Sequence, residues 1–440
     1  MHKQISKEML DFIKNSPSVF HAVNTIINEL KKEGFEELTE SRKWTLEKGK
    51  KYYVTRNFSS IIAFKIGENL ENYSFNIVAS HSDSPSFKIK DNYKVEASGK
   101  YMQLNTEKYG GMIYSTWFDR PLSIAGRVIV KNDNNIETKL VNIDKDLVVI
   151  PNVAIHMNKE VNSSMKYNEQ VDLLPLYSSL KDEKDNFMDV VAEHAGVDNK
   201  EDIISTDLFL YNRAEPSIWG GRDEFISSSR LDNLQCAYAT LKGFLKGSNS
   251  NTISVYCCFD NEEVGSGTKQ GAASTFLEDV LKRINNNLGM NNEDYLCALA
   301  SSFMVSADNA HAVHPNHPGK SDPSNRVYMN ECIVIKHNAN QKYTTDAVSS
   351  GVFQSLCEAS SVPFQHYSNR SDMPGGSTLG NIASLNVSVK SVDIGLAQLA
   401  MHSSYETAGI MDTYYMINVI EEFFSSHFRE KNVGSLVISK

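Results

Sequence analysis

The sequence predicts an α/β protein whose main domain is interrupted by a β-rich insertion. Three observations support this fold class. Helix-like and strand-like segments alternate towards both ends of the chain, short strand-like segments separated by turns occupy the middle, and several apolar runs end in acidic or histidine side chains. The 440 residues exceed the usual length of one domain, and 41% of them are hydrophobic, which is enough for sizeable cores. We therefore expect two domains.

Two helices are predicted near the start of the chain. Apolar residues at helical spacing from Ile5 to Ile13 predict the first helix. Ser16 and Pro17 offer an N-cap and a first-turn proline for the second helix, which is expected to run to Lys32 and to close at Gly34. Strands are expected after these helices.

From about Lys90 the sequence changes to strand-like segments separated by turns, and no long amphipathic helix is indicated before Val171. The polar tract from Lys181 to Asn186 is predicted to be an exposed loop. Helix and strand alternate again from Ser229, beginning with an amphipathic helix from Leu231 to Leu245. The predicted strands of the middle part are residues 100–105, 112–118, 122–130 and 147–153. The sequence thus predicts a discontinuous α/β domain, residues 1–90 and 229–440, and an inserted β-rich domain, residues 91–228.

The composition argues against several classes of function. The 44 basic and 54 acidic residues give a net charge of −10, and no basic run suggests a nucleic-acid partner. No segment has the apolar length of a membrane span, and the first residues lack the apolar core of a signal peptide. The six cysteines lie mostly inside apolar runs without C-x-x-C pairing, which is typical of buried thiols in a reducing compartment. We expect a cytoplasmic protein with no nucleic-acid or membrane partner.

Acidic residues cluster directly after the apolar run that ends at Phe259. Asp260, Glu262 and Glu263 lie within four positions of one another. Like charges held together are costly unless cations or protons compensate them. The cluster therefore predicts a bound metal flanked by a free acid/base, so that one glutamate holds the metal while its neighbour handles protons.

Three further strand-like runs lead to potential metal ligands. They deliver His81 and Asp83, then Asp308, and, after a short apolar segment, His402. In an open α/β sheet ligands gather where the carboxyl ends of the strands converge, so we expect these residues to form one site. The runs are residues 73–80, 303–307 and 389–394.

Each of these residues also has an ordinary structural interpretation. His81 and Asp83 could be loop residues. On an extended chain, however, both side chains lie on the same side. His81 can then bind a metal, and Asp83 can orient His81 or support the site. Asp232 lies in the first turn of a predicted helix, where acidic residues are favoured anyway. A lone histidine such as His402 is more often a satisfied core residue. Two histidines and three carboxylates nevertheless suit a pair of zinc ions that activates water and polarises a carbonyl, and the reaction class indicated is amide hydrolysis.

Three histidines follow Asp308 in a segment with two prolines. Using all three as ligands would overcrowd a site already supplied with carboxylates, and histidines in such a loop can simply be solvated. We expect only His311 to contact substrate; the other two are His314 and His317.

Eight motifs spread over nearly the whole chain resemble those of one family. They are residues 15–23 (NSPSVFHAV), 80–85 (SHSDSP), 109–111 (YGG), 115–120 (STWFDR), 150–156 (IPNVAIH), 229–233 (SRLDN), 260–266 (DNEEVGS) and 398–403 (QLAMHS). The family is that of the aspartyl aminopeptidases, which includes vacuolar-type aminopeptidase I. The resemblance implies a mixed-sheet zinc-exopeptidase catalytic domain with an inserted β-rich domain for dimerisation and oligomerisation.

The resemblance also implies two zinc ions (Zn2+) per subunit. His81 would hold the first ion and His402 the second, Asp232 would bridge them, and Glu263 and Asp308 would complete the ligand sets.

Three more residues receive roles from the resemblance. Glu262 would be the general base, a role that also fits its chemistry, because an unliganded carboxylate beside the metals can take a proton from water and pass it to the leaving amine. Asp83 would orient His81.

The implied assembly is a tetrahedral homododecamer built from dimers, in which His156, expected at an apolar strand end, would reach a neighbouring active site. The ordinary interpretation is that His156 is a buried, satisfied residue of its own domain.

Substrate choice is the least determined property. Lys336 could select an acidic amino-terminal residue by charge pairing, or it could be a solvated lysine at a strand end. The loop from Asp372 to Thr378 resembles the family's substrate-facing loop and places Gly376 there.

We therefore expect a two-zinc metalloaminopeptidase acting on peptides with acidic or apolar amino termini. The alternatives are a deacylase or carboxypeptidase with the same core and a cationic clamp, and an inactive metal-stabilised assembly protein, which would not need Glu262.

Overall fold

The computed structural model describes residues 1–179 and 187–440, so the predicted loop from Lys181 to Asn186 lies outside the described residues. The helices are α1 (His2–Lys14), α2 (Val19–Lys32), α3 (Phe187–Ala195), α4 (Leu231–Lys246), α5 (Phe276–Asn287), α6 (Asn292–Ser301), α7 (Ala347–Ala359), α8 (Leu379–Ala383) and α9 (Asp412–Phe424).

The strands complete the element order. They are β1 (Glu36–Leu38), β2 (Lys51–Arg56), β3 (Ser60–Ile66), β4 (Ser74–His81), β5 (Ser86–Ala97), β6 (Tyr101–Tyr109), β7 (Leu122–Asn132), β8 (Asn135–Val148), β9 (Leu176–Ser179), β10 (Ile203–Asn212), β11 (Ser217–Trp219), β12 (Phe225–Ser228), β13 (Thr252–Phe259), β14 (Phe303–Ala307), β15 (Ala310–His311), β16 (Ile333–His337), β17 (Phe364–Ser368), β18 (Lys390–Leu399), β19 (Glu406–Gly409), β20 (His427–Asn432) and β21 (Ser435–Ser439).

The main sheet is mixed, and its centre is parallel. Its strand order is β1-β2-β3-β13-β4-β14-β18-β19-β12-β11, with β15, β16 and β17 joined through β18. Strands β13, β4, β14 and β18 pair in parallel, so their carboxyl ends lie at one edge. Alternate residues pack against helices on opposite faces: Val78 and Tyr256 belong to the core with α1, α2, α4, α7 and α9, whereas Ile77 and Val255 belong to the core with α5 and α6. Burial on both faces explains the unbroken apolar runs of β4 and β13.

A second, antiparallel sheet has the order β8-β7-β10-β5-β6-β9 and a core of its own that includes residues of α3. The expected fold class, α/β with a β-rich insertion, is confirmed. Strand β12 pairs with β19 of the main sheet, and β11 pairs with β12, so residues 217–228 belong to that sheet. The pairing therefore favours a second boundary before Ser217 instead of at 228, and the division into two domains remains a prediction.

Three local expectations were wrong. The N-cap position of α2 is Ser18, because the Ser16 hydroxyl instead donates to the Phe12 carbonyl at the end of α1. Residues 112–118 form no strand, since Tyr114–Trp117 is a 3-10 turn whose Trp117 packs edge-on against Phe87. The strand expected at 147–153 ends with β8 at Val148, and only single bridges continue it. Among the described residues, no helix is long and apolar enough to cross a membrane.

Candidate metal centre

The parallel strand ends bring the acidic and histidine residues together, as expected from the sheet. His81 is the last residue of β4, Asp260 follows β13, and Asp308 follows β14. His402 lies in the loop after β18, and Asp232 lies at the start of α4. Asp232 and the next residue have non-helical dihedral angles. Asp232 is therefore more than an ordinary acidic residue in a first helical turn.

Asp232 lies between the two histidines. Its Oδ1 is 3.6 Å from Nε2 of His81, and its Oδ2 is 3.5 Å from Nε2 of His402. Asp308 Oδ1 is 3.5 Å from the same nitrogen of His81, and Glu263 Oε2 is 3.3 Å from that of His402. Each histidine thus faces one oxygen of Asp232 and one further carboxylate, which is the arrangement that a bridging carboxylate requires.

These side chains fit a bound cation better than they fit one another. The gaps of 3.3 to 3.6 Å exceed normal hydrogen-bond lengths. Two ligand atoms that each lie about 2.1 Å from a tetrahedral zinc ion are about 3.4 Å apart. Two buried oxygens, Asp232 Oδ1 and Glu263 Oε1, have no hydrogen-bond partner among the described residues. One potential ligand atom each from His81, Asp232 and Glu263 lies within 4.8 Å of the others. Unpartnered buried carboxylate oxygens are costly unless a cation compensates them.

Electrostatics lead to the same conclusion. Burial raises the pKa of Glu262 to about 8, with nearby His81 opposing the shift and Asp308 adding to it. Burial and then repulsion by Asp232 raise the pKa of Glu263 well above its usual value. Burial also disfavours the charged form of Asp232, but His402 and His81 together lower its pKa. Carboxylates that oppose one another's ionisation in a buried site provide the environment in which a divalent cation is most strongly attracted.

Asp83 contacts both His81 and the acidic turn, by which we mean residues 260–263. The Nδ1–H of His81 donates to the Asp83 carbonyl at 3.0 Å, which leaves Nε2 as the nitrogen that faces Asp232 and Asp308. The Asp83 carboxylate accepts the backbone N–H groups of Glu262 and Glu263, each at 3.1 Å. It also accepts the Tyr109 hydroxyl at 2.7 Å.

Glu406 is a functional residue that the sequence analysis missed. Its buried carboxylate accepts the backbone N–H of Asp232 at 2.9 Å and that of His402 at 2.7 Å. His402 has a φ of 66°, a left-handed conformation that is unfavourable for a histidine and needs such support. Burial first and Asp232 second raise the pKa of Glu406 to about 8. An acidic residue four positions after His402 was the signal available in the sequence.

Asp232, Asp308 and His402 line a cavity of about 190 Å³. Lys336 is only 2% exposed, so its interpretation as a solvated lysine is wrong. Its Nζ donates to the Asn309 carbonyl at 2.7 Å, lies 3.5 Å from Asp308 Oδ2 and lies 5.5 Å from the Tyr343 ring centre. Predicted residues that line the cavity are Asp232, Glu262, Asp308, His311, Lys336, Gly376 and His402.

His156 lies away from this cavity. It is exposed in a turn beyond the end of β8 and is not among the residues that line the cavity. Both the expected strand-end position and the alternative of a buried residue in its own domain are therefore wrong. Nearby Val153, Ile155 and Met157 are 48%, 48% and 82% exposed. Within a single chain, His156 takes no part in the site.

Comparison with known proteins gives one family. The family model "Aminopeptidase I zinc metalloprotease (M18)" matches residues 12–424. A protein of Clostridium novyi (strain NT) named "Probable M18 family aminopeptidase 2" is 49% identical over 428 residues, which are 96% of this chain and 99% of that protein.

Solved structures of similar chains agree with the family match. A chain in the cryo-EM structure of the Ape4 and Nbr1 complex is 36% identical with a TM-score of 0.92, and the match covers 96% of this chain and 86% of that one. The S. cerevisiae mApe1 dodecamer is 26% identical with a TM-score of 0.84, and the match covers 96% of both chains.

Proposed function

The chain belongs to the aminopeptidase I family of zinc metalloproteases (M18), and on that basis we propose that it removes amino-terminal residues from peptides with two zinc ions per subunit. His81 and Asp308 would hold one ion, His402 and Glu263 would hold the other, and Asp232 would serve both. The two oxygens of Asp232, each facing a different histidine, support this count. When bound, the ions polarise the scissile carbonyl and make water a stronger nucleophile.

Glu262 is the general base in this proposal. The single observation that carries the assignment is the divergence of two adjacent glutamates: Glu263 faces His402, whereas Glu262 lines the cavity. Its carboxylate takes a proton from the attacking water and delivers it to the leaving amine. Asp83 holds the backbone of both glutamates and the ring of His81 in place.

A peptide panel tests the proposed function. We expect release of single amino-terminal residues, loss of that release with a chelator, and its return when zinc is added back. Release from the carboxyl terminus, or deacylation of blocked amino acids, would instead favour a carboxypeptidase or deacylase. Absence of any hydrolysis by the zinc-loaded protein would favour the inactive assembly protein.

Acidic amino-terminal residues are the proposed substrate class. Lys336 is a buried cation that lines the cavity and keeps donors beyond the one given to Asn309. A substrate carboxylate that reaches this ammonium gains a charge-assisted hydrogen bond in a site from which water is largely excluded. Gly376 lines the same cavity, and a Cβ added there would meet nothing within 4 Å, so there is open space for a substrate beside it. His311 lines the same cavity and contacts the substrate.

The variant Lys336→Met is expected to lower the ratio of rates on Glu-initiated and Leu-initiated peptides. We expect a fall of about 10- to 100-fold, because a hydrogen bond to a charged group contributes about 1.5 to 3 kcal/mol. The ratio is the appropriate measurement, since Lys336 also lies near Asp308 and its loss can slow all substrates. Lys342→Met, an exposed lysine of the neighbouring loop, is the control. A parent enzyme that already prefers leucine would refute the proposed selection.

We further propose a homododecamer built from dimers. The mApe1 neighbour forms a dodecamer, and the exposed apolar residues around His156 offer a surface that a second copy can cover. In this arrangement His156 reaches the neighbouring active site and donates a hydrogen bond to the developing oxyanion. One such donor contributes about 3 to 4 kcal/mol in other hydrolases.

Mixing two impaired variants tests the shared site. Glu262→Gln and His156→Ala each lack one component, and after subunit exchange some interfaces join an intact Glu262 site to an intact His156. Recovery of activity is expected. Subunit exchange shown by mass spectrometry without recovery would refute the role of His156.

A cytoplasmic location is part of the same proposal. All six cysteines are free, and five of them are buried, as is usual in reducing compartments. Cell fractionation is the direct test, and recovery of the protein in an oxidising compartment would contradict it.

A further inference from the structure

A segment from the antiparallel sheet lies directly on the metal centre. We call residues 109–116, which begin at the last residue of β6, the bridging segment. A Cβ added to Gly110 would lie 3.1 Å from the Cβ of Glu263, so the backbone packs tightly on the acidic turn. The Ile113 N–H donates to the carbonyl of His402 at 3.0 Å, and Thr116 Oγ1 accepts the N–H of Ser404 at 2.9 Å. The bridging segment therefore hydrogen-bonds to one proposed ligand, His402, and packs against another, Glu263.

Tyr109, the first residue of the bridging segment, contacts Asp83 and Asn261. Its hydroxyl donates to Asp83 Oδ2 at 2.7 Å and accepts from the Asn261 amide at 2.8 Å. Its ring packs edge-on against Phe209 of β10, with the ring centres 5.6 Å apart. The ring is thus fixed by the antiparallel sheet while the hydroxyl is fixed at the metal centre.

Asp83 transmits this contact to both sides of the site. The same Oδ2 that accepts the Tyr109 hydroxyl also accepts the Glu263 N–H, and Oδ1 accepts the Glu262 N–H. Oδ1 also lies 3.3 Å from Nδ1 of His81. A rotation of this carboxylate would therefore displace two proposed ligands, His81 and Glu263, together with the proposed base, Glu262. Tyr109 supplies the only side-chain hydroxyl that holds Asp83 among the hydrogen bonds of the described residues.

We propose that Tyr109 is a positioning residue of the metal centre, which acts through Asp83 and links the antiparallel sheet to the geometry of the site. This inference rests on the proposed two-zinc function. Partners of this kind, which hold the residues that bind a metal, typically change metal affinity or activity about 10- to 100-fold when they are removed. Tyr109 contacts neither metal nor substrate in this proposal.

The variant Tyr109→Phe removes the hydroxyl and keeps the ring on Phe209. Tyr114→Phe is the matched control, because Tyr114 belongs to the same segment and its hydroxyl also donates to a carboxylate, that of Glu169, at 2.7 Å. Both variants and the parent are stripped with a chelator and titrated with Co2+, whose visible absorption reports the ligand geometry. Thermal melting of the apo proteins and steady-state kinetics of the zinc-loaded proteins complete the comparison.

We expect Tyr109→Phe to bind Co2+ about 10- to 100-fold more weakly, to show an altered visible spectrum and to lose kcat with little change in KM. Tyr114→Phe is expected to match the parent in all three. A Tyr109→Phe spectrum and affinity equal to those of the parent would overturn the inference, as would losses that merely follow a lower melting temperature shared with the control. Failure of the parent itself to bind Co2+ would instead refute the proposed function on which the inference depends.

Discussion

Replacing Glu262 with glutamine is expected to lower kcat by about a hundred- to ten-thousand-fold while zinc content is retained. Glutamine keeps the shape of the side chain but cannot accept a proton from water. The residues proposed as ligands are unchanged, and Asp83 still holds the backbone N–H of residue 262. Single-turnover kinetics and metal analysis of the same preparation measure the two effects.

The adjacent residue provides the control for this prediction. Glu263→Gln is expected to lose both zinc and activity, because Glu263 Oε2 faces His402 across a gap that fits a cation. If Glu262→Gln lost zinc together with activity, Glu262 would be a ligand and the roles of the pair would have to be exchanged.

Replacing Asp232 with alanine is expected to remove most of the bound zinc. Asp232 faces both histidines, so its loss is expected to affect both proposed ions, whereas Asp83 would act on them only through the residues that it holds. Asp83→Ala is therefore expected to weaken zinc binding by the smaller factor of about 10- to 100-fold. Zinc content after dialysis against a range of free zinc concentrations measures the difference.

Folding must be compared in both of these variants. Asp83→Ala leaves three partly buried donors without this acceptor, at a cost of up to about 1 to 3 kcal/mol for each, and is expected to lower the melting temperature more than Asp232→Ala does in the absence of zinc. Equal zinc occupancy in the two variants would contradict the bridging role of Asp232.

Much of the fold could be predicted from the sequence because the central strands are buried on both faces. Continuous apolar runs allow few other structures, and the observed strands end at His81, Phe259 and Ala307, next to the residues singled out beforehand. The predictions of local structure were wrong where the hydrogen-bond partners of the backbone come from distant segments. Residues 112–118 are apolar enough for a strand, but the Ile113 N–H donates to His402 instead of to a neighbouring strand.

The sequence by itself determined the chemistry of this protein: which residue types meet at the carboxyl edge of a parallel sheet, and that an acidic cluster there needs a cation. The strands and the side chains at their ends are properties of local patterns, which are read along the chain, whereas the order β13-β4-β14-β18 was decided by the tertiary structure. The tertiary structure alone decided how the site is held. Asp83 meets Tyr109, Asp232 meets Glu406, and Lys336 lies buried against Asp308 because segments far apart in sequence pack together. Side-chain periodicity specifies the face on which a residue lies, but a hydrogen bond depends on which distant segment covers that face.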